Sequence, residues 1–305
     1  MNTLINKYFT TAFGRLRFFM SATSLGLVLL SCSFIGWQGF NLGQDFTGGV
    51  VVEAQVDPQL SLEDLNRHLD TQLGQDVQLV QGSEMGHWQL RYNHHGIEHM
   101  PIAEVLATFS DNVLITSSSI VGPQVGQDMV EQGGLAIMTC LLLTLAYLSI
   151  RFDWRLATGA LVALSCDIII VLGVFAALQL EFNLTVLAAV LAVLGYSLND
   201  SIIIADRVRE LMRARANGQS ETIINDAVKS TFSRTMVTSG TTLATVTCLW
   251  LLGGDSLQGF AIALMVGIVC GTWSSIALGV TLPQLLNISP QHYQVIDYSD
   301  DALNP

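Results

Sequence analysis

Charged side chains are scarce in this sequence. They make up 12% of its 305 residues, whereas hydrophobic residues make up 50% and the mean hydropathy is +0.49. A soluble domain of this size does not need so much apolar surface. The composition therefore excludes an ordinary soluble protein and predicts one that crosses a membrane several times.

Long stretches that lack charge mark the candidate spans. A span needs roughly 17–25 apolar residues, and six runs are long enough: 18–37, 133–150, 156–178, 184–205, 236–252 and 257–282. Basic residues precede the first run as they precede a signal peptide, but the run is too long and no small-x-small cleavage pattern follows it. We therefore expect a retained first span, 18–40, behind an N-terminal segment, 1–17.

Cysteine is missing from the long segment between the first two runs. The five cysteines all lie in apolar runs, at Cys32, Cys140, Cys166, Cys248 and Cys270. Segment 41–132 therefore has no disulfide framework. It carries thirteen acidic residues against two basic ones, a net charge of −11 out of −12 for the chain.

Lysine and arginine are distributed unevenly around the spans. Eleven of the thirteen lie before the first run, between the second and third runs, or in segment 207–234. With six spans these places share one side, and an excess of positive charge marks the cytosolic side. We expect segment 41–132 to be exported, 133–285 to hold five spans with a cytosolic loop at 207–234, and 286–305 to be a polar, unfolded cytosolic tail.

The exported segment changes from helical to alternating periodicity. "GVVVEAQV", "DVQLVQ", "HWQLRYN" and "NVLITSSSIV" are typical of strands. "SLEDLNRHLDTQLG" and "PIAEVLATF" are typical of helices, the first with a capping box at Ser61 and Asp64, the second opening at Pro101. The order βαββαβ predicts a small ferredoxin-like α+β domain.

"HHGIEH" is a cluster of possible metal ligands in this segment. His94, His95, Glu98 and His99 could bind zinc, but no second cluster completes a tetrahedral site. We interpret it as a solvated loop and expect no metal and no cofactor.

The glycine-rich "NLGQDFTGG" joins the first span to the exported domain. Its glycines allow tight turns and close backbone approach. Composition favours a simple linker. The alternative is a shaped junction that couples helix movement to the domain, formed by Gly43, Asp45, Phe46, Gly48 and Gly49.

Ionisable residues inside the spans need an explanation. Asp167 lies in the third run, Asp200 in the fourth, and Arg234 opens the fifth. An ion at the bilayer centre costs roughly 2.5–3.5 kcal/mol even on a lenient scale, so such residues are functional candidates. Tyr196, Asn199 and Asp200 share one helical face. An ionised Asp200 would hold the guanidinium of Arg234, and a protonated Asp200 would release it. If the two helices are adjacent, this predicts a proton-driven switch. A static buried pair is the alternative.

Two further patterns accompany these residues. Thr238, Thr241, Thr242 and Thr245 form a hydroxyl stripe that can border water or a neighbouring helix. An intramembrane aspartyl protease would need Gly-x-Gly-Asp and Tyr-Asp motifs. Asp200 follows Leu198-Asn199 and the other aspartate follows a cysteine, so this pattern fails at both sites.

Several stretches resemble one family. "NLGQDFTGG" resembles the Gly-x-Asp-Phe-x-Gly-Gly signature of SecF, the smaller subunit of the SecD–SecF protein-export complex. "VGPQVGQ", "RFDWRLATGA", "GYSLNDSIIIADRVRE" and "RTMVTSGTTL" are similar to further motifs of that family, in order, over nearly the whole chain. One departure is Cys166, where the family pattern has histidine before Asp167.

The resemblance implies an architecture and a function. The chain would be half of a resistance-nodulation-division bundle, six transmembrane helices plus one ferredoxin-like periplasmic domain, paired with SecD about a pseudo-two-fold axis along the membrane normal. It would lie beside the SecYEG translocon, with YajC and YidC, in the bacterial inner membrane. There the complex would use the proton gradient to draw unfolded preprotein outward, without enzymatic activity or nucleic acid. Asp200 and Arg234 are carried over as proton-relay residues at the SecD interface, with Asn199 and Asp167 as secondary candidates.

Two other classes stay open. A proton-coupled efflux protein on the same scaffold would export small molecules, but such pumps usually carry larger exported regions with a substrate pocket than segment 41–132 provides. A passive scaffold of the translocon predicts that a change at Asp200 is harmless.

Overall fold

The computed structural model describes residues 11–55, 67, 69, 78–81, 86–92, 106, 113–121 and 123–294. Its helices are α1 (Ala12–Gln38), α2 (Gln44–Thr47), α3 (Pro123–Arg151), α4 (Trp154–Leu178), α5 (Leu184–Ala214), α6 (Ser220–Leu252) and α7 (Asp255–Leu285). Its strands are β1 (Asn41–Leu42), β2 (Gly49–Gln55), β3 (Gln78–Gln81), β4 (His87–Tyr92), β5 (Leu114–Val121) and β6 (Glu181–Phe182).

Six of the described helices are long and apolar enough to cross a membrane, which confirms the predicted number of spans. They are α1 and α3 to α7. Short polar side chains begin three of them: Thr11, Asp153 and Asn183 each accept a first-turn backbone N–H, at the starts of α1, α4 and α5. Such caps satisfy donors that a helix leaves without an internal partner.

The predicted cytosolic loop 207–234 is mostly helical. Helix α5 runs to Ala214 and α6 begins at Ser220, so that only residues 215–219 break the two helices. Apolar side chains explain this difference, because Met212 and Ile223 are buried in one cluster with Phe152. The helical period therefore continues beyond the part of each helix that a bilayer core requires.

The predicted tail, 286–305, is also ordered where it begins. Ile288 is buried in the same apolar cluster, and Pro290–Tyr293 forms a 3₁₀ turn. Arg155 fastens this segment because its Nε donates to the carbonyl of Leu286 at 3.0 Å. Burial raises the pKa of the Tyr293 phenol. The rest of the tail, from residue 295, lies outside the described residues.

Helices α4, α5 and α7 form the centre of the bundle. About half of the residues in their apolar windows are buried, against fewer than one in five in α1, α3 and α6. Glycines allow the central helices to approach closely. A Cβ at Gly159 of α4 would lie 2.7 Å from the carbonyl oxygen of Gly279 in α7, and a Cβ at Gly267 of α7 would overlap Val193 of α5.

Segment 41–132 contains an antiparallel sheet in the order β3-β4-β2-β5. This agrees with the four predicted strands and with a ferredoxin-like α+β unit. Val52 and Leu90 of the sheet are buried together with Leu69 and Leu106, at both of which the chain is helical. The rest of the two predicted helices, and the whole of "HHGIEH", lie outside the described residues.

Candidate functional site

Asp200 lies near the middle of α5, on the face that packs into the bundle. Its side chain is 1% exposed, and Ser197 and Ser201 on the same face are also buried. The Oδ2 atom of Asp200 and the hydroxyl of Ser201 have no hydrogen-bond partner in the described part of the chain. A buried carboxylate with an unsatisfied oxygen is costly, which marks this position as a functional candidate.

Helix α6 supplies the groups that face Asp200. Ser239 and Arg234 are the two groups of α6 that act on the Asp200 carboxylate. Tyr196 of α5 donates to Ser239 at 3.3 Å, and the hydroxyls of Ser239 and Thr272 share a hydrogen bond of 2.7 Å. The carboxylate therefore lies beside a polar network that joins α5, α6 and α7.

The predicted pair of Asp200 and Arg234 lies on adjacent helices, as the switch requires. However, Arg234 forms no ion pair within 4.0 Å among the described residues, and its side chain is exposed. Asn199 is exposed as well. The three residues predicted to share one helical face thus differ in burial: Tyr196 is half-buried, Asn199 is exposed and Asp200 is buried.

Asn199 and Arg234 belong to a set of exposed positions on two adjacent helices that we call the outer face. It comprises a stripe on α5, with Ala188, Ala192, Gly195 and Asn199, and a stripe on α6, with Arg234, Thr241, Thr245 and Cys248. The threonines of the predicted hydroxyl stripe are satisfied within their own helix; Thr241, for example, donates to the carbonyl of Val237 at 2.9 Å. This stripe borders the outside of the described bundle rather than Asp200.

Asp167 is a second buried carboxylate, held where α4, α5 and α7 meet. It is 1% exposed, and Ser197 donates to its Oδ2 at 2.5 Å. Ser274 of α7 faces the same carboxylate, and a Cβ at Gly271 would lie 3.4 Å from Oδ2. The Oδ1 atom has no hydrogen-bond partner among the described residues. Because Ser197 and Asp200 are three residues apart on α5, Ser197 connects the surroundings of the two acids.

Five buried hydroxyl residues of this region were missed from sequence: Ser197, Ser201, Thr235, Ser239 and Ser274. Two spacings could have indicated them. Ser197 and Ser201 are four residues apart, with Asp200 between them, and Thr235 precedes Ser239 by four residues. The threonine stripe predicted from sequence, which includes Thr241 and Thr245, lies on a different side of α6.

The glycine-rich junction is a shaped contact and not a simple linker. Asn41 and Leu42 pair in parallel with Glu181 and Phe182 of the α4–α5 connection. The Asp45 carboxylate accepts the backbone N–H of Leu184, the first residue of α5, at 2.9 Å. The junction therefore touches the helix that carries Asp200.

No group of three or more potential metal ligands occurs among the described residues. Six candidate spans, one small sheet domain and two buried acids in the bundle define a polytopic membrane protein of the transporter type.

Comparison with known proteins defines the family. Residues 102–287 match the model for "Protein export membrane protein SecD/SecF, C-terminal", and residues 34–59 match the "SecD/SecF GG Motif". The chain is 39% identical over 280 residues to protein translocase subunit SecF of Vibrio alginolyticus, covering 90% of this chain and 87% of the relative. It is 36% identical over 283 residues to the SecF of Escherichia coli O157:H7, covering 88% of this chain and 85% of that relative. The chain belongs to the SecD/SecF protein-export family and has a role in protein translocation.

Solved structures agree with this assignment. A crystal structure of SecDF from Thermus thermophilus, described as a translocon-associated membrane protein, matches with a TM-score of 0.79 and 31% identity. A SecDF structure in a super-membrane-facing form matches with a TM-score of 0.66 and 32% identity. Each match covers 88% of this chain but only 37% of the longer SecDF chain. The family resemblance drawn from the motifs is thus confirmed.

Proposed function

We propose that this chain is the SecF half of a proton-driven complex with SecD, which assists Sec-dependent translocation across the bacterial inner membrane and carries out no enzymatic reaction. The single observation that carries the proposal is the buried Asp200 carboxylate, which has an unsatisfied oxygen beside the polar network of α6. A titratable group in this position can gain and lose a proton as water reaches it from either side. No cofactor is needed for that step, because the proton gradient supplies the energy.

The outer face supports a partner helix bundle. Arg234 cannot usefully lose its proton, and a guanidinium that faced hydrocarbon would cost several kcal/mol. Small residues along α5, such as Ala192 and Gly195, would let another helix approach closely. The related SecDF chains contain far more than this chain covers. We infer that SecD covers the outer face and supplies acceptors to Arg234 and Asn199.

Buried hydroxyls support a hydrated path to Asp200. Ser201 of α5 and Thr235 of α6 are buried, and both hydroxyls lack a partner among the described residues. Groups of this kind are normally satisfied by ordered water. Asp167, through Ser197, is a secondary relay candidate on the same route.

The energetics are sufficient for a mechanical step. One charge that crosses 100 mV yields about 2.3 kcal/mol. A bias of this size shifts a two-state equilibrium by roughly fiftyfold. We infer that this bias moves the exported domain, which holds and releases unfolded preprotein.

The location follows from the charge distribution. The excess of Lys and Arg on one side supports cytosolic termini and a periplasmic segment 41–132. We place the complex beside SecYEG, with YajC and YidC as further partners, in contact with lipid and without nucleic acid.

The substitution Asp200→Asn tests the proposal. Because an amide does not titrate, we expect the proton-dependent part of export to disappear while copurification with SecD and ATP-driven export persist. The measurement is preprotein import into inverted vesicles with and without an uncoupler. Asp226→Asn is a suitable control, since Asp226 pairs with Arg215 at the surface. Wild-type stimulation in the Asp200 variant would leave a passive scaffold as the better description.

A further inference from the structure

The glycine-rich junction supplies part of the N-terminal cap of helix α5. The first N–H groups of a helix lack internal acceptors, and in α5 two side chains accept them. Asn183 accepts the N–H of Val186 at 3.0 Å, and Asp45 accepts the N–H of Leu184 at 2.9 Å. A carboxylate at this end also interacts favourably with the helix dipole.

The rest of the junction is fixed against the same connection. The N–H of Gly43 donates to the carbonyl of Phe182 at 2.8 Å, and a side chain at Gly43 would collide with Glu181 and Asn183. The buried ring of Phe46 stacks on Phe182, with 5.8 Å between the ring centroids. Residues 41–47, which we call the clamp, are thus held by backbone, ring and carboxylate contacts.

Helix α3 closes the clamp from the other side. At Gly126, a Cβ would lie 2.6 Å from the carbonyl oxygen of Phe46 and 3.0 Å from the backbone nitrogen of Gly48. Only glycine permits this approach. The clamp is therefore enclosed between α3 and the start of α5.

The clamp leads directly into the exported domain. Gly48 and Gly49 have φ angles of +71° and +123°, which favour glycine, and Gly49 already begins β2. Strand β2 is central in its sheet, since it pairs with both β4 and β5. Gly48 and Gly49 thus connect the clamp directly to the middle of the sheet.

At its other end α5 carries the buried acid. Asp200 follows Leu184 by sixteen residues in an uninterrupted helix, a distance of about 24 Å at the rise of an α-helix. We propose that Asp45 is a positioning residue, which fastens the clamp to the N-terminus of α5 so that movements of α5 reach the exported domain. This inference rests on the proposed proton-driven function.

Two substitutions at Asp45 test whether its role depends on the oxygen that caps α5. Alanine removes the acceptor, whereas asparagine keeps an oxygen that caps helices about as well as aspartate. In the complex with SecD, we expect Asp45→Ala to lower proton-stimulated export per complex about fivefold, the effect of a typical lost cap. ATP-driven export and SecD copurification should persist, and Asp45→Asn should restore most of the stimulation.

A distance measurement provides the readout that a purely structural role would not change. Spin labels at Glu53→Cys in β2 and Leu178→Cys at the end of α4 occupy exposed positions, in a background in which Cys32 and Cys248 are replaced by serine. We expect one narrow distance distribution with Asp45 or asparagine and a broad one with alanine. Thr185→Ala is the matched control, because Thr185 is exposed in the same turn and bonds only to Asn183. It should behave as the wild type.

A second variant tests the coupling if Asp45→Ala does not accumulate. Insertion of Gly-Gly between Thr47 and Gly48 keeps the contacts of Gly43, Asp45 and Phe46 with the α4–α5 connection but lengthens the link from the clamp to the sheet. We expect the same loss of proton stimulation with an unchanged amount of complex. Wild-type stimulation in this insertion variant, or in Asp45→Ala, would overturn the inference. Failure of the proposed function is distinguishable, because the wild-type complex itself would then show no proton stimulation.

Discussion

At the scale of single residues, the four predicted relay side chains separate into two pairs. Asp167 and Asp200 are buried in the bundle, whereas Asn199 and Arg234 lie on the outer face. Neighbours in sequence thus have different surroundings, because one helical step rotates the side chain by about 100°. In the proposed function, the buried pair holds protons and the outer pair reports that state to SecD.

Arg234→Lys tests the role of the guanidinium. The change keeps the charge but loses the planar fork that can bind two acceptors at once. We expect proton-dependent export to fall about tenfold, as the loss of one hydrogen bond to a charged group predicts. Arg207→Lys is the control, since Arg207 forms a surface pair with Glu210 at 2.7 Å, and such pairs contribute little. Equal, wild-type export rates from both variants would show that Arg234 is a simple anchor.

At the scale of secondary-structure elements, glycine sets which helix faces meet. Gly267 allows α7 to pack on Val193 of α5, and Gly271 lies next to Ser197 one turn further on. These contacts orient α5 so that Ser197 and Asp200 face inward. The orientation of the polar site therefore depends on the same glycines, Gly267 and Gly271, that allow α7 to pack closely on α5.

Gly267→Val should loosen this packing. The added side chain would overlap Val193, and overpacking of this kind typically costs about 1–3 kcal/mol. We expect a lower melting temperature of the purified complex in detergent. Gly26→Val is the control, because nothing lies within 4 Å of a Cβ at Gly26. If the two variants melted at the same temperature, the close contact between α5 and α7 would be contradicted.

At the scale of the whole molecule, the chain leaves a polar surface uncovered. Its central helices are enclosed, but the outer face presents an arginine, an asparagine and threonines at the depth of apolar spans. Exposed ionic groups are costly in hydrocarbon. In the proposed function, SecD covers this face and removes that cost.

Two native cysteines can test where the partner binds. Cys248 lies on the outer face, four residues before the end of α6, whereas Cys32 is exposed on α1, six residues before its end. With a membrane-permeable thiol reagent, we expect SecD to reduce labelling of Cys248 at least about tenfold, as burial in a packed interface excludes the reagent. Labelling of Cys32 should stay unchanged. Cys32→Ala and Cys248→Ala assign the two signals, and protection of Cys32 instead would move the interface to α1.

The sequence by itself determined the features that depend on local patterns. Six apolar runs predicted six spans, because burying an apolar segment needs only length and composition. Alternating residues predicted the strands of the exported sheet for the same local reason. Motifs such as "GYSLNDSIIIADRVRE" also predicted the family correctly.

Only the tertiary structure decided which polar groups meet. Both sides of α6 carry hydroxyls, so sequence could not tell that Thr235 and Ser239 are buried while Thr241 and Thr245 are exposed. The capping of α5 by Asp45 joins residues 139 positions apart, and composition had favoured a linker there. Both outcomes depend on how helices pack across the bundle, and that packing is set by contacts between residues that no local period connects.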